Sequence, residues 1–151
     1  MKILSADTIV FASPVYFHHL TAPLKKILDR FRSFINVQIT PQGLKHTPWA
    51  TWQKQFVLLL PLGSSDAADT QPIIDLFSFL TKILGPDNTL HTLIGKRLAV
   101  VNQVSMSFER LGKLYETLKL PVELAVDDYR ANQALLQKCR ELGHFLSQST
   151  I

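Results

Sequence analysis

The sequence predicts an α/β protein with three layers, a parallel sheet flanked by helices on both faces. Two observations carry that prediction. Residues 8 to 13 and Gln55 to Leu62 are mostly apolar and do not alternate, the pattern of strands covered on both faces. Each is followed by a segment with helical spacing of its apolar residues, and strands alternating with helices imply βαβ units with right-handed crossovers. A length of 151 residues, 46% hydrophobic and 19% charged, fits a single domain spanning residues 1–151 with a sizeable core.

In chain order, residues 8 to 13 form the first strand, expected to be central in the sheet. Thr21 can cap a helix that tolerates Pro23 in its first turn, where a missing N–H costs nothing, and Leu24, Ile27, Leu28, Phe31 and Phe34 recur on one face. Residues 36 to 54 carry Pro41, Gly43, Pro48, Trp49 and Trp52 without clear periodicity, a long connection of the functional or interfacial kind. The tryptophans either cover a ligand or partner surface or anchor the connector in the core. The second strand, Gln55 to Leu62, ends in Gly63-Ser64-Ser65-Asp66. The spacing of Ile73, Ile74, Phe77, Leu80 and Ile83 predicts a helix to about Leu84, stopped by Gly85-Pro86.

Leu98 to Val101, after Lys96-Arg97, reads as the third strand, and Val122 to Ala125 is a candidate fourth. Phe108, Leu111, Tyr115 and Leu118 predict a helix over Met106 to Leu118, broken by Pro121. Asp127 or Asp128 can cap a last helix to about Ser147, with Leu135, Leu136, Cys139, Leu142 and Phe145 as its buried stripe.

The formal charge of +4 comes from scattered Lys and Arg, and no run is long enough for a nucleic-acid tail. A lone cysteine, Cys139, excludes an intramolecular disulfide and a cysteine-ligated iron–sulfur cluster within one chain, and reads as a small core residue. His46, His91 and His144 share no metal-ligand spacing with the other candidate ligands, so no metal site is expected. The longest apolar runs are broken by proline and too short to cross a bilayer. The reading is a cytoplasmic protein with neither membrane nor nucleic acid as partner.

In doubly wound sheets ligands bind beyond the carboxyl ends of the strands, which directs attention to the loops after residues 13 and 62. Ser13-Pro14 sets an extended residue before a fixed φ, so that the following backbone can lie beneath a planar ring, and Tyr16 and Phe17 offer aromatic surface. Alternatively the segment is a plain strand-to-helix turn. Gly63 and Ser64 can offer backbone N–H groups to an anion or a heterocycle edge; the other reading is a glycine turn followed by a Ser or Asp cap, with Asp66 repelling phosphate. His18 and His19 either donate protons to a ligand or are simply exposed. Lys25 and Asp29 form an i,i+4 pair on a solvated helix face.

The stretch Ala6-Asp7-Thr8-Ile9-Val10-Phe11-Ala12-Ser13-Pro14-Val15-Tyr16, with Lys25 and Asp29-Arg30 on the helix after it, resembles the third strand and following loop of the flavodoxin-like NAD(P)H-dependent FMN reductases and iron–sulfur flavoproteins. The likeness covers residues 1 to 35 well and rests on element order from 55 to 104. It implies a flavodoxin-like fold, noncovalent FMN, and NAD(P)H as electron donor to a quinone, free flavin or other small-molecule acceptor. Carried onto this chain, it assigns cofactor binding to Ser13, Pro14, Val15, Tyr16 and Phe17, with Gly63 and Ser64 as the second loop; no catalytic residue is assigned.

In that family a strand, a phosphate loop, a helix and a second strand come first, and no Gly- or Ser/Thr-rich loop precedes Thr8. The expectation is therefore a domain truncated at its N-terminus, with one edge of its first strand unpaired. From this follows a homo-oligomer, or a complex with a chain supplying the N-terminal half. The competing expectation is a non-catalytic flavodoxin-like remnant serving oligomerisation or interaction.

Overall fold

The computed structural model describes residues 2–148. A short helix, α1 (Lys2–Ser5), leads into strand β1 (Thr8–Ala12), and helix α2 (Ala22–Arg30) follows, extended by a 3-10 turn at Phe31–Phe34. Strands β2 (Ile35–Thr40) and β3 (Gly43–Pro48) come next, then β4 (Gln55–Pro61), a 3-10 turn at Ala67–Thr70, helix α3 (Gln71–Leu84) and strand β5 (Thr89–Gly95). Helices α4 (Phe108–Thr117) and α5 (Glu123–Gln148) close the chain.

The main sheet is parallel with strand order β1-β4-β5, so Phe11 lies beside Leu58 and Leu58 beside Thr92. The central strand is β4. Side chains alternate across a strand, and Phe56, Leu58 and Leu60 enter a large core with Phe11, Leu28, Phe31, Trp52, Ile73, Phe77 and Leu84. Aromatic rings dominate that core: Phe11 meets Phe77 edge-on at 5.0 Å between centroids, and Phe34 meets Trp52 at 5.1 Å. On the opposite side Leu59 and Pro61 share a cleft with Leu135, Leu136 and Cys139 of α5. A smaller cluster of Leu111, Tyr115 and Ala125 joins α4 to α5. The predicted three-layer α/β architecture is therefore present.

Several elements differ from the sequence reading. Among the described residues the first strand lies at the edge of the sheet, pairing with β4 alone, and Val10 is 57% exposed. The third strand is β5, Thr89–Gly95, and Leu98 to Val101 is an irregular loop. Polar Thr89, His91 and Thr92 hide β5 from an apolar-run reading because it is a half-exposed edge strand. Residues 36 to 54 contain an antiparallel hairpin, β2 with β3, in which Ile35 and Val37 pack inward while Ile39 projects beyond the core opposite Leu44. Trp52 is buried, whereas Trp49 is exposed. Val122 to Ala125 is the entry to α5 and not a strand, because Glu123 onward is helical. Helix α5 thus starts before Asp127, and neither Asp127 nor Asp128 caps it. Its expected stripe is only half-buried, with Phe145 51% exposed against His91.

The junction before β4 is held by polar bonds that burial makes obligatory. Lys54, almost fully buried, donates from Nζ to the carbonyls of Leu4 (2.9 Å) and Ala6 (2.6 Å), while its N–H donates to Asn88 Oδ1 (2.8 Å). Trp52 N–H donates to Leu84 O at 2.9 Å, which draws Gly85 against the Trp52 backbone. A Cβ at residue 85 would stand 2.1 Å from Trp52 O. Gly85→Ala is therefore expected to cost about 3 kcal/mol through forced backbone displacement, read as a lower urea midpoint at unchanged slope; an unchanged midpoint would contradict this packing.

Candidate functional site

The loops after β1, β4 and β5 converge at the carboxyl ends of the strands, where doubly wound sheets bind ligands. The first continues the ladder: Ser13 N–H donates to Leu59 O and Val15 N–H to Pro61 O, both at 3.1 Å. Ser13 is 1% exposed, and its hydroxyl accepts Thr21 N–H (3.1 Å) and is within 2.9 Å of Pro14 O, to which it can donate. Thr21 sits at the α2 N-cap position but makes no side-chain cap bond.

Tyr16 and His19 exchange backbone bonds of 3.0 and 2.9 Å around Phe17 and His18, whose φ values are +51° and +59°. Two consecutive left-handed residues make this a tight turn of the kind that favours Asn-Gly, and a side chain there costs about 1 kcal/mol or more. Phe17 stands wholly exposed at the tip. His19 Nδ1 accepts the Leu20 N–H at 2.9 Å, and His18 Nδ1 lies 3.5 Å from Asp69 Oδ1, bringing the first two loops together.

The second loop turns at Leu62-Gly63. Ser64 Oγ accepts Asp66 N–H (3.1 Å), and Asp66 Oδ1 accepts Ala68 N–H (2.8 Å), so Asp66 caps the 3-10 turn at Ala67–Thr70. Leu62 O and Ser64 O in turn accept the N–H groups of Leu98 (2.9 Å) and Arg97 (3.0 Å). The loop after β5 is thereby drawn beside the loop after β4.

Together these segments line an open cavity of about 500 Å³ formed by Pro14, Val15, Tyr16, Pro61, Leu62, Gly63 and residues 98–104, a size suited to a small organic ligand. Of the sequence candidates, Pro14, Val15, Tyr16 and Gly63 meet in this cavity. Ser13 braces the loop from behind, Phe17 stands outside at the turn tip, and Ser64 is engaged with Asp66.

The third wall, 98–104, escaped sequence reasoning. Gln103, 2% exposed, holds its shape: Oε1 accepts the N–H groups of Ala99 (2.8 Å) and Val100 (3.2 Å), and Nε2 donates to Arg97 O (2.7 Å). Asn102, at φ +63°, supplies the left-handed turn, which Asn tolerates better than most residues. That left-handed turn was the available clue, an Asn ending an apolar run.

Behind this wall, Arg97 Nε and Nη2 both donate to the Asp128 carboxylate at 2.6 Å, and the Tyr115 hydroxyl donates to Asp128 Oδ2. Burial pulls the Asp128 carboxyl upward, but the bonds from Arg97 and Tyr115 and the charges of Arg97 and Lys96 outweigh it and hold it below its ordinary value. Burial, then the bond to Asp128, pushes the Tyr115 phenol up to about 12. Among the described residues no group of three or more His, Cys, Asp and Glu side chains is placed to hold a metal ion, and no helix is long and apolar enough to cross a membrane.

Residues 1–86 match the family model of the NADPH-dependent FMN reductases. Among solved structures, the azoreductase from Bacillus anthracis str. Sterne aligns at 16% identity with a TM-score of 0.44, covering 89% of this chain and 58% of that one. The azoreductase AzrA aligns with the same values. The chain thus spans under two thirds of the length of either structure. No curated protein matches the sequence.

Removing the buried anion tests the brace behind the cavity. Asp128→Asn leaves the Arg97 charge without its partner and is expected to cost about 3 kcal/mol. A depressed carboxyl stabilises fully above its unfolded value and loses that contribution as pH falls through the folded value. The wild type should therefore shed stability below about pH 4, and the variant should shed less over that interval, as read by urea unfolding at several pH values. Parallel acid limbs would show that Asp128 is not the group responsible.

Proposed function

The chain belongs to the NADPH-dependent FMN reductase family, and from that premise we propose that it is a flavin-dependent NAD(P)H oxidoreductase whose ring site is the cavity at the carboxyl ends of β1, β4 and β5. The observation carrying this reading is the convergence of Pro14, Val15 and Tyr16 with Leu62, Gly63 and the 98–104 loop around one cavity. Its residues fit a planar heterocycle: aliphatic walls from Val15, Leu62, Leu98 and Val104, an aromatic ring from Tyr16, and the backbone of Gly63 for a polar edge. A flavin held by these residues would supply the redox chemistry, hydride acceptance from a nicotinamide and electron transfer to a small-molecule acceptor. The chain's own residues would line and orient the ring.

A homo-oligomer belongs to the same proposal. Val10 is exposed on β1, which among the described residues pairs with β4 alone, and Ile39 and Leu44 form an exposed apolar pair at the hairpin end. The same surfaces favour the second reading, an interaction domain without catalysis.

The visible spectrum of the purified chain, taken after incubation with FMN and desalting, with its mass in solution, separates the two readings. Retained flavin bands near one per chain are expected, and a colourless oligomer would favour the interaction domain. Tyr16→Ala should weaken flavin binding about fivefold, from the loss of roughly 1 kcal/mol of aromatic contact. Unchanged affinity in a folded variant would remove Tyr16 from the site.

A further inference from the structure

We propose that the outer edge of β5 docks an extended peptide segment of another protein, which adds to the sheet as a further strand and lies in the groove between β5 and α5. The site is separate from the cavity described above, and the inference does not rest on the flavin reading.

Ladder geometry is the first ground. Thr89 N–H donates to Lys54 O (3.0 Å) and Gly95 O accepts Leu62 N–H (2.8 Å), which turns the backbone groups of residues 89, 91, 93 and 95 toward β4. In a parallel ladder the intervening residues point the other way. Leu90, Thr92 and Ile94 therefore present their N–H and C=O groups at an edge that, among the described residues, no strand covers. A row of backbone donors and acceptors is complementary to another extended backbone, and this sets the chemistry of the partner.

The second ground is the space beside that edge. Thr92, Leu93 and Ile94 line one side of an open recess of about 410 Å³, and Ala131, Ala134, Leu135 and Lys138 of α5 line the other. A recess of about 230 Å³ adjoins it, sharing Ile94, Ala131 and Leu135, and continues past Gly95 to Lys96 and Asn132. The alanines leave room for the side chains of an added strand, every second one of which faces the helix.

Asn132 is the third ground. It is 4% exposed, yet its side-chain amide bonds to no other described residue. Among the described residues every fully enclosed side-chain N or O has a partner, so the Asn132 amide reaches the surface, and the surface it reaches is the recess that it lines. A primary amide carries donors and an acceptor side by side, the complement of a peptide group. Polar side chains this deeply buried normally find a partner in the folded chain, and here a guest backbone supplies it.

Charge then selects among peptides. Arg97 and Asp128, at one end of the groove, neutralise each other. Lys96 and Asp127 share that end, while Lys138 lines the larger recess, which holds no carboxylate. Lys138 makes no ion pair with any other described residue. The groove therefore favours an aliphatic strand that carries an acidic residue beside it.

Fluorescence anisotropy of the full chain with a labelled heptapeptide, alternating valine and threonine between terminal glutamates, tests the inference. Saturable binding below about 0.1 mM is expected. N-methylation of one alternate set of the probe's amides should cost about tenfold or more, and of the other set little, because only one edge of the guest meets β5. Thr92→Pro removes an outward N–H without touching the β4 ladder, a place where an edge strand accepts proline, and should also cost about tenfold. Asn132→Ala should cost about fivefold. No saturable binding by about 1 mM, equal tolerance of N-methylation on both sets, or unchanged affinity in folded Thr92→Pro and Asn132→Ala would overturn the inference. A dimer that Thr92→Pro converts to monomer would overturn it too, by giving the edge to a second copy of this chain.

Discussion

Strand β4 is the frame on which the other parts are hung. Among the described residues it is the only strand with neighbours on both edges, and four of its seven residues, Phe56, Val57, Leu58 and Leu60, are buried. The loop from β1 is stitched to it through Leu59 O and Pro61 O, and Leu62 just beyond it bonds both Gly95 and Leu98. Because these are backbone bonds, the spacing of the cavity walls follows from sheet geometry and not from side-chain choice. Parallel strands a fixed distance apart place their loops the same distance apart.

Side chains then decide what each loop does. Ser13 spends its hydroxyl on Thr21 and fixes the exit toward α2, Asp66 ends the second loop, and Gln103 folds the third around its amide. Buried polar groups must find partners, and Ser13 and Gln103 each find more than one within their own neighbourhood. The result is a cavity whose polar side chains mostly hold the protein itself, leaving apolar surface and a little backbone for a ligand.

How much of this was legible in the sequence follows the same division. The two apolar strands, the helix of Ile73 and Phe77, and the Pro14 to Tyr16 segment were readable because their signals are local: periodicity, a proline, a glycine stop. The Ala6 to Tyr16 resemblance supplied the family. Strand β5 was missed because an edge strand carries polar residues, and Leu98 to Val101 was mistaken for it because apolar residues lining a cavity look like those lining a sheet. The hairpin at Ile35–Pro48 lacks a two-residue turn of the favoured glycine kind, having Pro41-Gln42 before Gly43. From sequence, Asp127 or Asp128 reads as a cap because Asp favours helix starts; the partners of Asp128, Arg97 and Tyr115, are distant in sequence and adjacent only after folding.

The Arg97, Asp128 and Tyr115 cluster joins the cavity wall to two helices that contribute no residue to the cavity lining. Binding and local unfolding then share one thermodynamic cycle: whatever steadies residues 97–104 also raises the free energy of detaching α4 and α5, by the same amount that docking those helices improves affinity. The C-terminal helix pair is thus a silent ligand of the site, and amide exchange along α5 becomes a reporter of an event on the other side of the sheet's rim.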